Sequence, residues 1–363
     1  LGRHVTELFA NQAIKYIADL KKVDPEKPFF LYFAPGATHT PHQVGIDWVN
    51  KYSGKFDKGW DWYRQTVWDS LEAKEKEVAS RLMENYAGFV SHTDHEIGRI
   101  IEYLEQIDQL DNTLVVLMIG DNGTMGASPA DALVNYKPSS TEELNKQIEK
   151  LNLLGSDKSF PNYPGGWAAA TNTPFRFYKE NPCWEGGTHN ALVLFFPKKI
   201  KGNGDVRAQY TYISDILPTT LELSGTEQPE IINGYKQEPI EGISLAYSID
   251  NPEATERHDI QYHETTGSYS LYKQGWKVSF PRALKSPNGA SRAPGSDDVY
   301  LYKVDEDFNE TVNLADKYPE KVEELKNDFE KEAWKYHVFP LKNQWETTNP
   351  YTKKYYPDKM PRF

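Results

Sequence analysis

The stretch whose reading decides the fold is Thr113-Leu-Val-Val-Leu-Met-Ile-Gly-Asp-Asn-Gly123. Its uncharged run, Thr113–Ile119, is too short for a helix and lies between the turn-forming pairs Asp111-Asn112 and Gly120-Asp121. A short apolar run bounded by turn residues reads as a strand buried on both faces, the habit of a parallel sheet. In open α/β sheets ligands bind beyond the carboxyl ends of the strands, where Asp121 and Asn122 fall. A carboxylate beside an amide carbonyl offers two hard oxygens, suited to Ca²⁺ or Mg²⁺; zinc would call for His or Cys. Asp-Asn-Gly is also ordinary turn chemistry, and the tripeptide alone leaves both readings open.

Working outward, Pro28–Ala34 and Ala191–Phe196 are apolar runs of the same kind. Helices alternate with them. Phe9, Ala13, Ile17 and Leu20 mark the first, and Val78, Leu82, Tyr86, Val90, Ile97, Ile101 and Leu104 mark a long one over 75–106. Helix and strand in alternation predict a doubly wound α/β domain. His39 lies in the loop Pro35–His42 after the first strand, placed to act as a general acid or an anion contact. Pro41 separates it from His42, so the two histidines do not share a helical face, and no third metal ligand is near. Lys179 precedes Glu185-Gly-Gly187, whose glycines allow close backbone approach. The excursion over 124–175, with one helix expected at 140–153, is of a length that usually serves a site.

From about residue 251 the texture changes. Strand-like runs at Asp259–His263, Trp276–Phe280 and Val299–Val304 precede a charged helix, with Pro319 near its start and Val322, Leu325, Phe329, Ala333 and Tyr336 on one face. The division expected is a catalytic domain over 1–250, a small antiparallel α+β annex over 251–340, and a tail over 341–363.

The 363 residues carry 41 Lys+Arg against 53 Asp+Glu, a formal net charge of −12. That balance argues against nucleic acid as a partner, because such binding runs on clustered cations. No apolar run approaches the roughly 18 residues of a membrane span. A single cysteine, Cys183, excludes an internal disulfide and reads as a small buried side chain. His92, Glu96 and Arg99 fall off the apolar stripe of the long helix and read as a solvated face. His263-Glu264 starts a zincin-like pattern, but Gly267 stands where a second ligand would be needed. Leu1 is not an initiator and no leader-like segment follows it, so a fragment or processed product is expected.

Taken together, these segments resemble the sulfatase family, in particular the large bacterial arylsulfatases. The resemblance is carried in order by Phe29–His42, Lys51–Asp61, Tyr86–Asp94, Leu110–Gly123, Asn172–Lys179 with Glu185–Thr188, and Tyr302–Ala315. It implies an alkaline-phosphatase-like sandwich with a mostly parallel central sheet, a formylglycine nucleophile, and Ca²⁺ held in part by Asp121 and Asn122. It further implies that His39 touches the ester or leaving-group oxygen and that Lys179 neutralises sulfate oxygens. The substrate would be a sulfate monoester, aryl or carbohydrate, and the location periplasmic or secreted.

Two family elements are not found in the sequence: a C/S-x-P-S-R motif for the nucleophile, and the paired aspartates that complete the calcium site. Gly267-Ser-Tyr269 stands where the family's annex suggests an Arg. The chain by itself is therefore expected to be inactive. Two rivals remain: a phosphatase or phosphoglycerol transferase of the same superfamily, against which Asn122 in place of His argues, and a non-catalytic binding protein derived from a sulfatase.

Overall fold

The computed structural model describes residues 3–59, 73–120, 122–126, 145, 148–179, 181–202, 204–265, 267–281, 298–339 and 341. The chain divides into two compact units, Leu1–Thr113 with Thr124–Thr171, and Leu114–Gly123 with Asn172–Phe363. The composition-based boundaries at 250 and 340 both fall inside the second. Most of the tail read over 341–363 lies outside the described residues, as does most of the helix expected at 140–153, of which a 3-10 turn at Leu151–Leu153 is described. No helix among the described residues is long and apolar enough to cross a membrane.

The first unit is built on helices α1 (Val5–Val23), α2 (Ile46–Asn50), α3 (Ala73–Gln106) and α4 (Gly165–Thr171). His4 caps α1 by accepting the Thr6 N–H on Nδ1 at 3.1 Å, satisfying one of the helix's orphan donors. The stripe α1 buries is Thr6, Ala10, Ala13 and Ile17, rotated from the expected one. Small Ala10 fits the seam with Ile100 and Leu104 of α3, and bulky Phe9 is left half-exposed. Helix α2 crosses α3 at Gly88, where an added Cβ would stand 2.8 Å from Trp48 C and from Val49 N. Val44, Val49 and Phe89 fill the space beside that crossing.

Two expectations fail here. The run Pro28–Ala34 joins no strand ladder among the described residues. It is extended, with Phe29, Leu31 and Phe33 packed on α1 and α3, while Phe30 and Tyr32 are 84% and 78% exposed. Period-two geometry gives it one covered face, although every position is apolar. The polar face of α3 is likewise not solvated. His92 and Glu96 are buried, with the His92 ring edge-on to His4 at 4.4 Å and to Trp48 at 5.3 Å. Arg99 makes this tolerable: its guanidinium donates to Glu96 at 2.6 Å and to Asn11 of α1 at 2.6 Å, so the carboxylate is buried with its counter-charge.

Among the described residues the strands all lie in the second unit. Strand β1 (Val115–Ile119) pairs with β2 (Ala191–Phe195), and α5 (Glu185–Thr188) immediately precedes β2. Helices α6 (Ile216–Ser224) and α7 (Ala246–Ile249) pack Leu223 and Ile249 around Phe196, flanking a two-residue hairpin, β3 (Ile231–Ile232) and β4 (Tyr235–Lys236). A four-stranded sheet follows in the order β5 (Ile260–Thr265), β6 (Ser268–Lys273), β7 (Trp276–Phe280) and β8 (Tyr300–Lys303). Helix α8 (Pro319–Lys335) opens on proline, which needs no partner for its missing N–H. It lays Val322, Leu325, Phe329 and Ala333 over Leu271, Val278 and Leu301.

The mostly parallel central sheet is not found among the described residues, where every ladder is antiparallel. Strands β1 and β2 run antiparallel from Val115↔Phe195 to Ile119↔Ala191, and neither is buried on both faces. With a single neighbour each, they present residues such as Ile119 and Phe195, 58% and 44% exposed.

Candidate functional site

The turn after β1 is where the sequence places a ligand-binding loop. Gly120 and Gly123 both take φ of 79°, the left-handed region open to glycine, and so turn the chain back sharply. Asp121 lies outside the described residues. Asn122 is half-buried in the bend. Asn190, one residue before β2, ties the loop down by accepting the Gly123 N–H on Oδ1 at 3.0 Å.

Three segments interlock at this point. A Cβ on Gly123 would stand 2.0 Å from Gly186 O and 3.3 Å from Lys179 N. A Cβ on Gly186 would meet Arg176 O at 2.2 Å and Phe177 O at 2.3 Å. The Glu185-Gly186-Gly187 turn is thus the piece against which both the Asn122 loop and the Lys179 segment close. Further bonds hold it: Gly186 N–H donates to Arg176 O at 3.0 Å, and Asn172 Nδ2 donates to Phe177 O at 3.0 Å and to Gly186 O. Phe177 adopts left-handed backbone at φ 60° and lays its ring 4.2 Å from Trp184. Lys179 follows two residues later, half-buried. The structure therefore brings Asn122 and Lys179 into one loop cluster.

His39 belongs to the first unit. It is exposed, with Nδ1 2.7 Å from Thr40 O, a hydrogen bond that keeps a proton on that nitrogen. Its loop is pinned rather than loose: Thr40 Oγ1 donates to Pro161 O at 3.0 Å, His42 N to Pro161 O at 3.0 Å, and Gln43 Nε2 to Ser159 O at 2.8 Å. His42 is structural. Burial, with a smaller push from His39, lowers its pKa to about 3, and its neutral ring stacks on Tyr163 at 5.3 Å.

Beneath the Glu185 turn lies a buried charge cluster that the sequence reading missed. Glu185 Oε1 accepts from Lys277 Nζ at 2.7 Å, its Oε2 lies 2.9 Å from His189 Nδ1, and its backbone N–H donates to Glu310 Oε2 at 2.8 Å. Lys277 also stands 2.9 Å from Glu310 Oε1. Burial opposes charge on all three. The Lys277 ammonium and the hydrogen bond to the His189 ring nevertheless hold the Glu185 carboxyl below the usual carboxylate range, and the two carboxylates hold Lys277 above its ordinary value. For Glu310 burial wins over the shared ammonium, and its carboxyl is raised.

The local sequence points away from this cluster. Lys277 and Ser279 alternate with Trp276, Val278 and Phe280, which reads as a solvated sheet face. That face instead seats the segment before the turn, with Ser270 Oγ donating to Pro182 O at 2.6 Å and Ser279 Oγ to Cys183 O at 2.7 Å. Cys183 is buried there as expected, and burial pushes its thiol up to about 12, away from nucleophilic use.

Around the Asn122 loop the described side chains offer amide carbonyls, Asn122 and an Asn190 already bonded to Gly123, and none of the described residues form a group of three or more His, Cys, Asp or Glu able to hold a metal. Calcium takes six to eight oxygens. The described residues alone therefore do not hold it. Lys179 is half-buried in the same cluster, its backbone N 3.3 Å from the place a Gly123 Cβ would take.

The chain is similar to known proteins. The sulfatase family model matches residues 2–226. The chain is 29% identical over 345 residues to an uncharacterized sulfatase of Schizosaccharomyces pombe, covering 86% of this chain and 59% of that protein. It is 26% identical over 266 residues to the arylsulfatase of Klebsiella aerogenes, covering 66% of this chain and 55% of that protein. The crystal structure of Ps i-CgsB in complex with k-i-k-neocarrahexaose matches with a TM-score of 0.59 at 18% identity, over 98% of this chain and 60% of that one. The fold is shared, and the chain spans somewhat over half the length of the curated relatives it matches.

Proposed function

The chain belongs to the sulfatase family, and on that premise we propose that it is the larger part of an arylsulfatase-like enzyme hydrolysing sulfate monoesters of aryl or carbohydrate groups. The observation that carries this reading is the closure of the Asn122 loop and the Lys179 segment on one rigid turn. A sulfate ester is an anion whose departing oxygen gains charge in the transition state, so cations fixed beforehand lower the barrier. Lys179 would neutralise the sulfate oxygens. His39 would protonate the departing oxygen, a role that needs its second ring nitrogen to carry a proton.

Asp121 and Asn122 would contribute hard oxygens to a Ca²⁺ site, and chain outside this sequence would supply the remaining ligands and the formylglycine nucleophile. When bound, Ca²⁺ would add positive charge beside the ester oxygens. The mostly parallel part of the sheet would come from the same source. Residues 1–250 would then contribute to the catalytic domain and 251–340 form its annex, in an exported enzyme. The amide at 122, where a phosphatase of this superfamily would present His, favours sulfate over phosphate.

The test is turnover of a series of aryl sulfates by the complete protein. Lys179→Ala should slow every ester about 100-fold or more. His39→Ala should slow esters with poor leaving groups most. Equal losses across the series would remove His39 from the acid role. Ca²⁺ titration by calorimetry should show sharply weakened affinity in Asp121→Ala and Asn122→Ala, and wild-type affinity in both would end the metal assignment.

A further inference from the structure

One lysine of the four-stranded sheet is bonded to the turn on which the loop cluster closes. We propose that Lys277 is a positioning residue for the sulfate-binding loops, acting through Glu185 and without touching substrate. The inference rests on the reading of Lys179 and Asn122 given above.

The chain of contacts is short and continuous. Lys277 Nζ holds Glu185 Oε1 at 2.7 Å and Glu310 Oε1 at 2.9 Å. Glu310 Oε2 in turn receives the Glu185 backbone N–H at 2.8 Å. The side chain and the main chain of Glu185 are thereby fixed from one point on β7. The next residue, Gly186, has its N–H on Arg176 O at 3.0 Å and its carbonyl in the place a Gly123 Cβ would need. A rotation of Glu185 therefore moves Gly186 against both loops, and neither has slack to absorb it. Arg176 reinforces the coupling: its guanidinium donates to Glu310 O at 2.8 Å, three residues before Lys179.

A cluster serving only stability would gain from an apolar replacement, since buried ion pairs are often matched or bettered by well-packed hydrophobic groups. Lys277 instead carries two carboxylates whose other atoms are committed to the turn and to His189. Its bond to Glu185 Oε1 is directional, and so is the bond of the Glu185 N–H to Glu310 Oε2, whereas Glu310 Oε1 meets the ammonium as an ion pair without hydrogen-bond geometry; the two directional bonds are what a positioning device requires.

The experiment uses the complete protein, 4-nitrophenyl sulfate for kinetics and inorganic sulfate for calorimetric binding. Lys277→Met leaves two buried carboxylates without their shared cation and should lower the melting temperature. The double variant Lys277→Met with Glu310→Gln removes one of those charges and should melt close to wild type. Both should show kcat reduced by about 10- to 100-fold, with KM changed far less and sulfate bound more weakly, because displacement of a catalytic group by an ångström costs on that order. A double variant with wild-type stability and kcat within about twofold of wild type would overturn the proposal, leaving Lys277 a stability residue only. A wild-type protein that neither cleaves the ester nor binds sulfate would instead remove the reading of the site, and this inference with it.

Discussion

In the sheet β5–β8, Leu271, Val278 and Leu301 are fully buried beneath α8, whereas in the β1–β2 pair, made of residues at least as apolar, Met118, Ile119, Val193 and Phe195 are exposed. Both belong to the same compact unit. Composition does not separate them; what separates them is a layer to lie against. A strand's apolar face contributes stability only when another surface removes it from water. The four-stranded sheet has α8 on one face and the segment 182–185 on the other. Among the described residues β1 and β2 have each other and little else.

The largest effect should come from removing the cover. Phe329 is fully buried and stacks on Tyr269 at 3.9 Å between ring centroids, so Phe329→Ala should cost about 3–5 kcal/mol in urea unfolding. Phe195→Ala, at a half-exposed position, should cost under about 1 kcal/mol. Equal costs would break the comparison.

Acid should come next. His263 lies on β5, on the face that carries Lys277; burial first, then the Lys277 charge, push its pKa down to about 4. Its unfolded form binds the extra proton between pH 6.5 and that value. Stability is therefore full above about 6.5 and falls as pH drops towards 4, by up to roughly 1.4 kcal/mol per unit. Melting curves of His263→Gln should lose that acid slope.

His258 has the opposite sign. Burial would lower its pKa, but its bond to Asp215, 3.2 Å away, and that carboxylate's charge raise it. Its contribution is present below the unfolded value and fades as pH rises through the folded one. His258→Gln should flatten the alkaline side, by a smaller amount. A variant that shifted both limbs together would show that the two rings titrate as one.

The smallest change in stability should follow from Val193→Thr and Phe195→Ser on the uncovered pair, within about 0.5 kcal/mol by urea unfolding. The same variants should reduce self-association in sedimentation, because uncovered apolar strands invite pairing with other chains. A loss of several kcal/mol would mean that these residues are covered after all.

Periodicity made α1, α3 and α8 legible as helices, although the stripe read for α3 included Val90, which is exposed, and missed Phe89 and Ile100, which are buried. Likewise, α1 lay one residue round from Phe9 and Leu20, since the seam selects small Ala10 over a bulky ring. Strands β5, β7 and β8 were readable from their apolar runs, but β6, Ser268–Lys273, was not. Its alternating serines give no apolar run to read, and Ser270 bonds Pro182 in the segment that covers this face. Non-local cover of this kind has no local signature. The same holds for Pro28–Ala34, read as doubly buried and found extended with one face open. At the site, Gly123 and Glu185-Gly-Gly187 could be picked out from glycine chemistry. That they occupy each other's space, and that Lys277 braces them, depends on residues up to 187 positions apart (Gly123 to Glu310).

The interlock of Gly123, Gly186 and residues 176–179 has a consequence for how this region opens. Three stretches that exclude one another's side chains at 2.0–2.3 Å can leave their places only in concert. Their amides should then exchange with deuterium as a single cooperative block, protected to a common free energy, although two of the three are loops that would ordinarily fray on their own.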